Sequence, residues 1–471
     1  MARETARRRA VVVLVAVGAL TGLTLGVFAL RAWRPFERST GEPAAWPTNI
    51  APLADFVEHT TDTTFRHPIR VTFLTGDAYA TAVGATGGIA TSDANDDAIG
   101  RAMGLWNGRP SVAIAAAGGQ QASSFPAVWR PDRDDLLVRA TGARARLSPR
   151  SRFTITAVLT EVLQEQRYGT TSALAHAPSA QEREALQMLS VGQAAWVGGR
   201  YVDEMGTADS DEIDVEFAAA ADARAQVDDA TPASRLLSRD LRQRAGETFI
   251  AALQTMNPGA IGKAFTTARP TAVDQVVLPA TKYLHRDRTE AAAAPPVPRG
   301  GALIRADIQI GPSAWSLLFE HGLADNVALR AADGWGNDAA TAYRLDGRVC
   351  VDGRLVADGR AGADRIDAGL RAWAAARPAA SDVRIARHDD VLLYSVCDPG
   401  ADAGQTVVDD EARAAILART SRLSNEIAHG RSARQAECIW VPLFQQFTVE
   451  QVDDDDAAAA PYAAVVAGCT D

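Results

Sequence analysis

Residues Ala10 to Leu30 form a run of 21 mainly apolar residues directly behind Arg7, Arg8 and Arg9, and no other feature limits the architecture of the chain as much. A helix of about 20 such residues crosses the roughly 30 Å hydrocarbon core of a bilayer, so everything after it lies on one side. No small-x-small cleavage step follows. Leu30-Arg31-Ala32-Trp33 comes instead, which predicts an uncleaved signal anchor. Arg3, Arg7, Arg8 and Arg9 on one flank outweigh Arg31, Arg34 and Arg38 on the other by a small margin, which places residues 1–9 in the cytoplasm. The expected location is the cell membrane, single-pass, with the bulk of the chain extracytoplasmic. Gly18, Gly22 and Gly26 repeat every four residues and line one face of the span. That face permits a second transmembrane helix to approach closely, so a homodimer through it is one expected partnership.

Cysteine usage agrees with an oxidising destination. Cys350, Cys397, Cys438 and Cys469 are the only four, and all lie in the last third of the chain. Three pairings are open; Cys350 with Cys397 and Cys438 with Cys469 is the simplest. Each bridge stabilises a fold by about 2–4 kcal/mol. The absence of any Cys-x-x-Cys pair argues against a thiolate zinc site. No two of the seven histidines stand at a chelating i, i+3 or i+4 spacing, so no metal ligand set and no cofactor are expected. There is no Gly-x-Ser-x-Gly elbow and no phosphate-binding loop. A net charge of -10 argues against a nucleic-acid partner.

Residues 153 to 168, FTITAVLTEVLQEQRY, have apolar spacing at Leu159, Val162 and Leu163 that fits a helix packed on one side. A zinc peptidase helix needs His at i and i+4, which fall on one face, and Glu at i+1 as general base. Leu159, Thr160, Leu163, Gln164, Gln166 and Tyr168, with Glu165 replacing an acid by an acid, resemble such a helix in an actinobacterial, membrane-anchored zinc metallopeptidase-like family. In that family the helix runs His-Glu-Leu-Thr-His-Ala-Leu-Gln-Asp-Gln and then an aromatic. The resemblance extends through residues 53–74, 128–153, 185–202, 256–284 and 331–344, in the family's order. It places Ala157 and Glu161 where two ligands stand and Val158 where the base stands. The third ligand, a Glu in a Glu-Gly-x-Ala step, falls on Val191 of Val191-Gly192-Gln193-Ala194. Ala and Val offer no donor atom, and one carboxylate cannot hold zinc alone.

The resemblance implies an α+β, zincin-like, mostly helical ectodomain with a small β-sheet, behind one N-terminal transmembrane helix. The expected organisation is the anchor at 10–30, a Pro-containing juxtamembrane linker at 31–50, and a zincin-like domain at 51–290. A Pro-rich connector follows at 291–301, then a disulfide-bearing region at 302–471. Helices are expected at 51–61, 149–166, 181–203, 313–332, 363–376 and 411–429. Strands are expected near 69–74, 111–116, 136–140, 341–345, 347–351 and 390–396. Gly334-Trp335-Gly336 reads as a turn, and the acidic stretch Asp203 to Asp229 as a solvated surface insertion. The functional expectation is a pseudo-metallopeptidase of the cell envelope, binding or scaffolding a protein or peptide without cutting it. The alternative is a metal-dependent peptidase or other hydrolase with a relocated site, for example among Glu161, Gln164, Glu165 and Asp338.

Overall fold

A computed structural model describes residues 45–84, 94–111, 125–229, 231–257, 259–285, 289–404 and 410–469. The chain divides into two compact units. The first draws on residues 1–91, 112–176 and 189–230, the second on 92–111, 177–188 and 231–471.

The first unit is built on a three-stranded sheet. Its elements are α1 (Ala51–Thr61), β1 (Arg70–Leu74), α2 (Gly76–Gly84), β2 (Ala127–Arg130), β3 (Asp135–Arg139), α3 (Pro149–Tyr168), α4 (Ala180–Asp203, from Leu189 onward in this unit) and α5 (Thr207–Asp228). Strand order is β1-β3-β2, with β1 parallel and β2 antiparallel to β3. Alternation along the strands decides the layers. Ala127, Trp129, Leu136 and Val138 pack on Ile155, Val158, Leu159, Val162 and Leu163 of α3 and on α1. Val128 and Leu137 turn the other way, onto Tyr79 and Val83 of α2.

Local chemistry sets the ends of α3. The Ser148 hydroxyl caps it by accepting from the Ser151 amide at 3.2 Å, Pro149 occupies the first turn, and Gly169 closes it at φ +62°.

The second unit holds a fully antiparallel five-stranded sheet, order β4-β5-β6-β8-β7. Its labelled elements are α6 (Ala233–Met256), β4 (Ala302–Ile308), α7 (Pro312–Phe319), α8 (Asp325–Ala332), β5 (Trp335–Leu345), β6 (Arg348–Ala357), α9 (Gly359–Ala375), β7 (Arg384–His388), β8 (Val391–Cys397), α10 (Asp410–Ala428), α11 (Ala433–Gln446) and α12 (Asp455–Gly468). Asp346 and Gly347, both at positive φ, turn β5 into β6, as a two-residue hairpin loop requires. Trp315, Phe319, Trp373 and Tyr394 form an aromatic cluster with ring centroids 5.3 to 6.2 Å apart. Cys350 and Cys397 are register partners on β6 and β8 and are disulfide-bonded; Cys438 is bonded to Cys469.

The expected fold class is corrected. The chain has two separate sheets rather than one small one, because the strands expected at 341–345, 347–351 and 390–396 lengthen and join into a sheet of their own. Among the described residues no helix is long and apolar enough to cross a membrane. The anchor at 10–30, with Gly18, Gly22 and Gly26, lies outside the described residues, as does nearly all of the strand expected at 111–116.

Three local expectations change as well. The helix expected over 313–332 is two helices, α7 and α8. The chain breaks at Gly322, where a Cβ would come within 2.9 Å of the Ala372 carbonyl oxygen. Trp335 opens β5 rather than sitting in a turn. The acidic stretch is not an insertion but the helix α5, because Ile213 and Phe217 give it an apolar side, fully buried against Phe153 and Ala195.

Candidate functional site

The face of α3 that the resemblance singles out is closed. Ala157 and Val158 are 3% and 2% exposed and Val191 of α4 is 3% exposed. Val158 belongs to the sheet-facing core. Thr156 and Thr160 are buried, and their hydroxyls donate back to the carbonyls of Arg152 and Thr156 within the helix.

The two helices that carry the aligned positions do meet, through amides. Gln164 Nε2 donates to Gln193 Oε1 and to the Ser190 carbonyl, both at 3.0 Å, and the Ser190 hydroxyl donates to Gln164 Oε1. Gln193 lies two residues after Val191, in the same Val-Gly-Gln-Ala step.

Other frame residues have structural work. Gln166 and Arg167 hold the segment before β1: Gln166 accepts from the Arg66 amide at 2.8 Å and donates to the His67 carbonyl at 3.0 Å. Arg167 reaches the Thr64 carbonyl and hydroxyl, each at 2.6 Å. Glu165 accepts from the Thr170 hydroxyl and the Thr171 amide and so caps the short helix that follows.

Glu161 differs from all of these. It is partly exposed, and among the described residues it has no hydrogen-bond or ion-pair partner. Burial alone raises its carboxyl from 4.5 to about 8. At neutral pH it is chiefly the uncharged acid, which is a poor metal ligand and a poor base but a competent proton donor. No group of three or more His, Cys, Asp or Glu able to hold a metal occurs among the described residues.

Asp338, the distant member of the alternative set, belongs to the second unit, where it is fully buried and occupied. It accepts from the amides of Ile310 at 2.6 Å and Gly311 at 2.9 Å and from the Trp335 indole at 2.8 Å. Burial raises its carboxyl to about 6 against the pull of those donors.

The resemblance to the metallopeptidase-like family gains nothing from outside the chain, since no protein-family model, no curated protein and no solved structure matches it.

One feature carries no mark in the sequence. A cavity of about 230 Å³ lies within the second unit, walled by Ala180–Met188 of α4, by α6 and by residues 309–317. Its walls come from segments spread over more than a hundred residues of chain, and each alone reads as ordinary amphipathic helix or turn.

Proposed function

We propose that this chain is a non-catalytic binding or scaffold protein, built on a fold of metallopeptidase-like ancestry and working in an oxidising, extracytoplasmic space. The observation that carries the reading is the side-chain chemistry at the aligned positions. Ala157, Val158 and Val191 are buried and offer no donor, while the helix that bears two of them keeps its caps, core and contact with α4. A metal site that had merely changed specificity would exchange one donor for another. Here the donors are replaced by packing. Two disulfides support the compartment, because such bonds persist where thiols are not kept reduced.

One observation favours a second reading, a hydrolase with a relocated site. Glu161 is solitary, reaches solvent and holds its proton near neutrality, which are properties of a general acid. Acid catalysis needs a partner base or nucleophile, and Gln164, Glu165 and the threonines around it are committed elsewhere.

Elemental analysis of the full chain after exposure to zinc and dialysis tests both. Less than about a tenth of an equivalent of zinc, together with no cleavage of a generic peptide library, is the expected result. Roughly one equivalent that disappears in Glu161→Gln would sink the non-catalytic reading.

A further inference from the structure

The 230 Å³ cavity of the second unit has an apolar body formed by Met188, Leu237, Leu241 and Leu317. Its polar groups are unevenly committed. Glu184 is closed off: Arg242 meets both of its oxygens, Nε at 2.7 Å and Nη2 at 2.8 Å, and the Ser238 hydroxyl adds a third bond at 2.9 Å. Gln181, only 5% exposed, accepts weakly from the Val273 amide through Oε1, but its Nε2 has no partner among the described residues. The Ser234 hydroxyl is also buried without a partner.

These donors stand near the start of α7. Gly311, at φ +78°, precedes that helix, and a Cβ placed on it would lie 2.2 Å from Gln181 Nε2, so the free amide rests directly against the backbone there. Ser313 and Ala314, in the first helical turn, line the cavity. First-turn amides have no acceptor within their own helix.

The cavity thus presents two uncommitted hydrogen-bond donors, the Gln181 amide nitrogen and the Ser234 hydroxyl, around an apolar space. Charge narrows the ligand further. No cation is among the described residues that line the cavity; Arg242, which reaches Glu184 in its wall, is taken by both carboxylate oxygens, and the amides of Ile310 and Gly311 are held by the Asp338 carboxylate. A carboxylate ligand would be desolvated beside two acids with no free cation to receive it, which is costly. An ammonium head would find no free carboxylate, since Glu184 is held by Arg242 and Ser238 and Asp338 by its own donors. A neutral carbonyl meets neither obstacle.

We propose that this cavity binds a small neutral molecule with one carbonyl acceptor, an amide or an ester, on an apolar chain. Gln181 Nε2 and the Ser234 hydroxyl donate to the carbonyl, and the chain fills the space between Met188, Leu237, Leu241 and Leu317. The volume is roughly one and a half times that of the about 150 Å³ cavity known to take benzene, which sets the chain at about six to eight carbons. The proposal deepens the binding role above by naming a ligand class.

Calorimetric titration of the full chain with hexanamide, hexanoate and hexylamine tests it. Hexanamide is expected to bind one to one with Kd on the order of 1 mM or tighter, and at least about tenfold more tightly than the two charged analogues. Ser234→Ala removes a hydroxyl that nothing else uses, so the protein folds as before and hexanamide binding weakens about threefold. Gln181→Met, checked for native circular dichroism, weakens it about tenfold. Equal binding of all three ligands, preference for hexanoate or hexylamine, unchanged affinity in both variants, or no heat at about 10 mM hexanamide would each overturn the assignment. None of these results bears on zinc uptake, so failure here and failure of the non-catalytic reading are told apart.

Discussion

Gln164 of α3 and Gln193 of α4 share a 3.0 Å hydrogen bond with both residues at least nine-tenths buried. A paired amide deep in a helix interface is stabilising only while it is complete. Gln164→Leu strands Gln193 and the Ser190 hydroxyl and is expected to cost about 1–3 kcal/mol. Gln164→Leu with Gln193→Leu is expected to cost less than the sum of the two single changes, because no amide is then left unmet. Urea unfolding of the four proteins measures this, and strict additivity would show that the pair is not coupled.

Glu161 sets a pH dependence whose sign follows from burial. Its carboxyl titrates at about 8 in the folded chain against 4.5 when free. Between those values the unfolded chain has lost a proton that the folded chain keeps, so stability is full below the lower value and falls as pH rises towards the upper. Asp338 acts in the same direction but is finished by about 6. A decline between about pH 6.5 and 8.5 that vanishes in Glu161→Gln therefore belongs to Glu161. If the variant keeps the same slope, the group is not held in its neutral form.

Phe153 and Gly198 meet where α3 crosses α4. A Cβ on Gly198 would lie 2.8 Å from the Phe153 ring, and Phe153 is 1% exposed with Phe217 edge-on to it at 5.3 Å. Gly198→Ala gains about 1 kcal/mol of helix propensity and loses more by forcing a ring that has no room to move. A net loss of about 1–2 kcal/mol is expected by thermal unfolding. Stabilisation instead would show that the aromatic pair yields easily.

Much of this architecture was legible, and for local reasons. The helix expected at 149–166 is α3, capped by Ser148 and closed at Gly169, and the paired strands expected at 341–345 and 347–351 are the turn-proximal parts of β5 and β6 around Asp346-Gly347. What escaped was long-range. The acids of α5 masked Ile213 and Phe217, whose burial depends on Phe153 some sixty residues away. The helix α6 was not expected at all, since it falls in the gap between the segments 185–202 and 256–284 that carry the resemblance. Sheet order cannot be read from strand periodicity, since β6 and β8 alternate in the same way whichever neighbour they take, and β5 is buried almost throughout. At the candidate site the sequence identified which positions lack donors. It did not reveal that Gln164 and Gln193 are partners, because nothing in an isolated Gln marks what it will face.

The two disulfides should differ in what they protect. Cys350 and Cys397 join adjacent strands already paired along β6 and β8, so Cys350→Ser with Cys397→Ser lowers the melting temperature while the backbone ladder persists. Cys438 and Cys469 instead fasten α12 to α11. Six of the ten α12 residues whose burial is described are exposed, and among the described residues its side-chain ties include the Trp440 and Tyr462 rings at 5.4 Å and the Tyr462 hydroxyl donating to Glu426 at 3.3 Å. Cutting that bridge with Cys438→Ser and Cys469→Ser is expected to release α12 to proteolysis after Gln446, with about 2–4 kcal/mol of stability lost. Mass spectrometry of limited digests separates the cases. If the Cys350 and Cys397 variant opens the same sites equally fast, α12 is not held by its own bridge, and its packing on Trp440 must carry it instead.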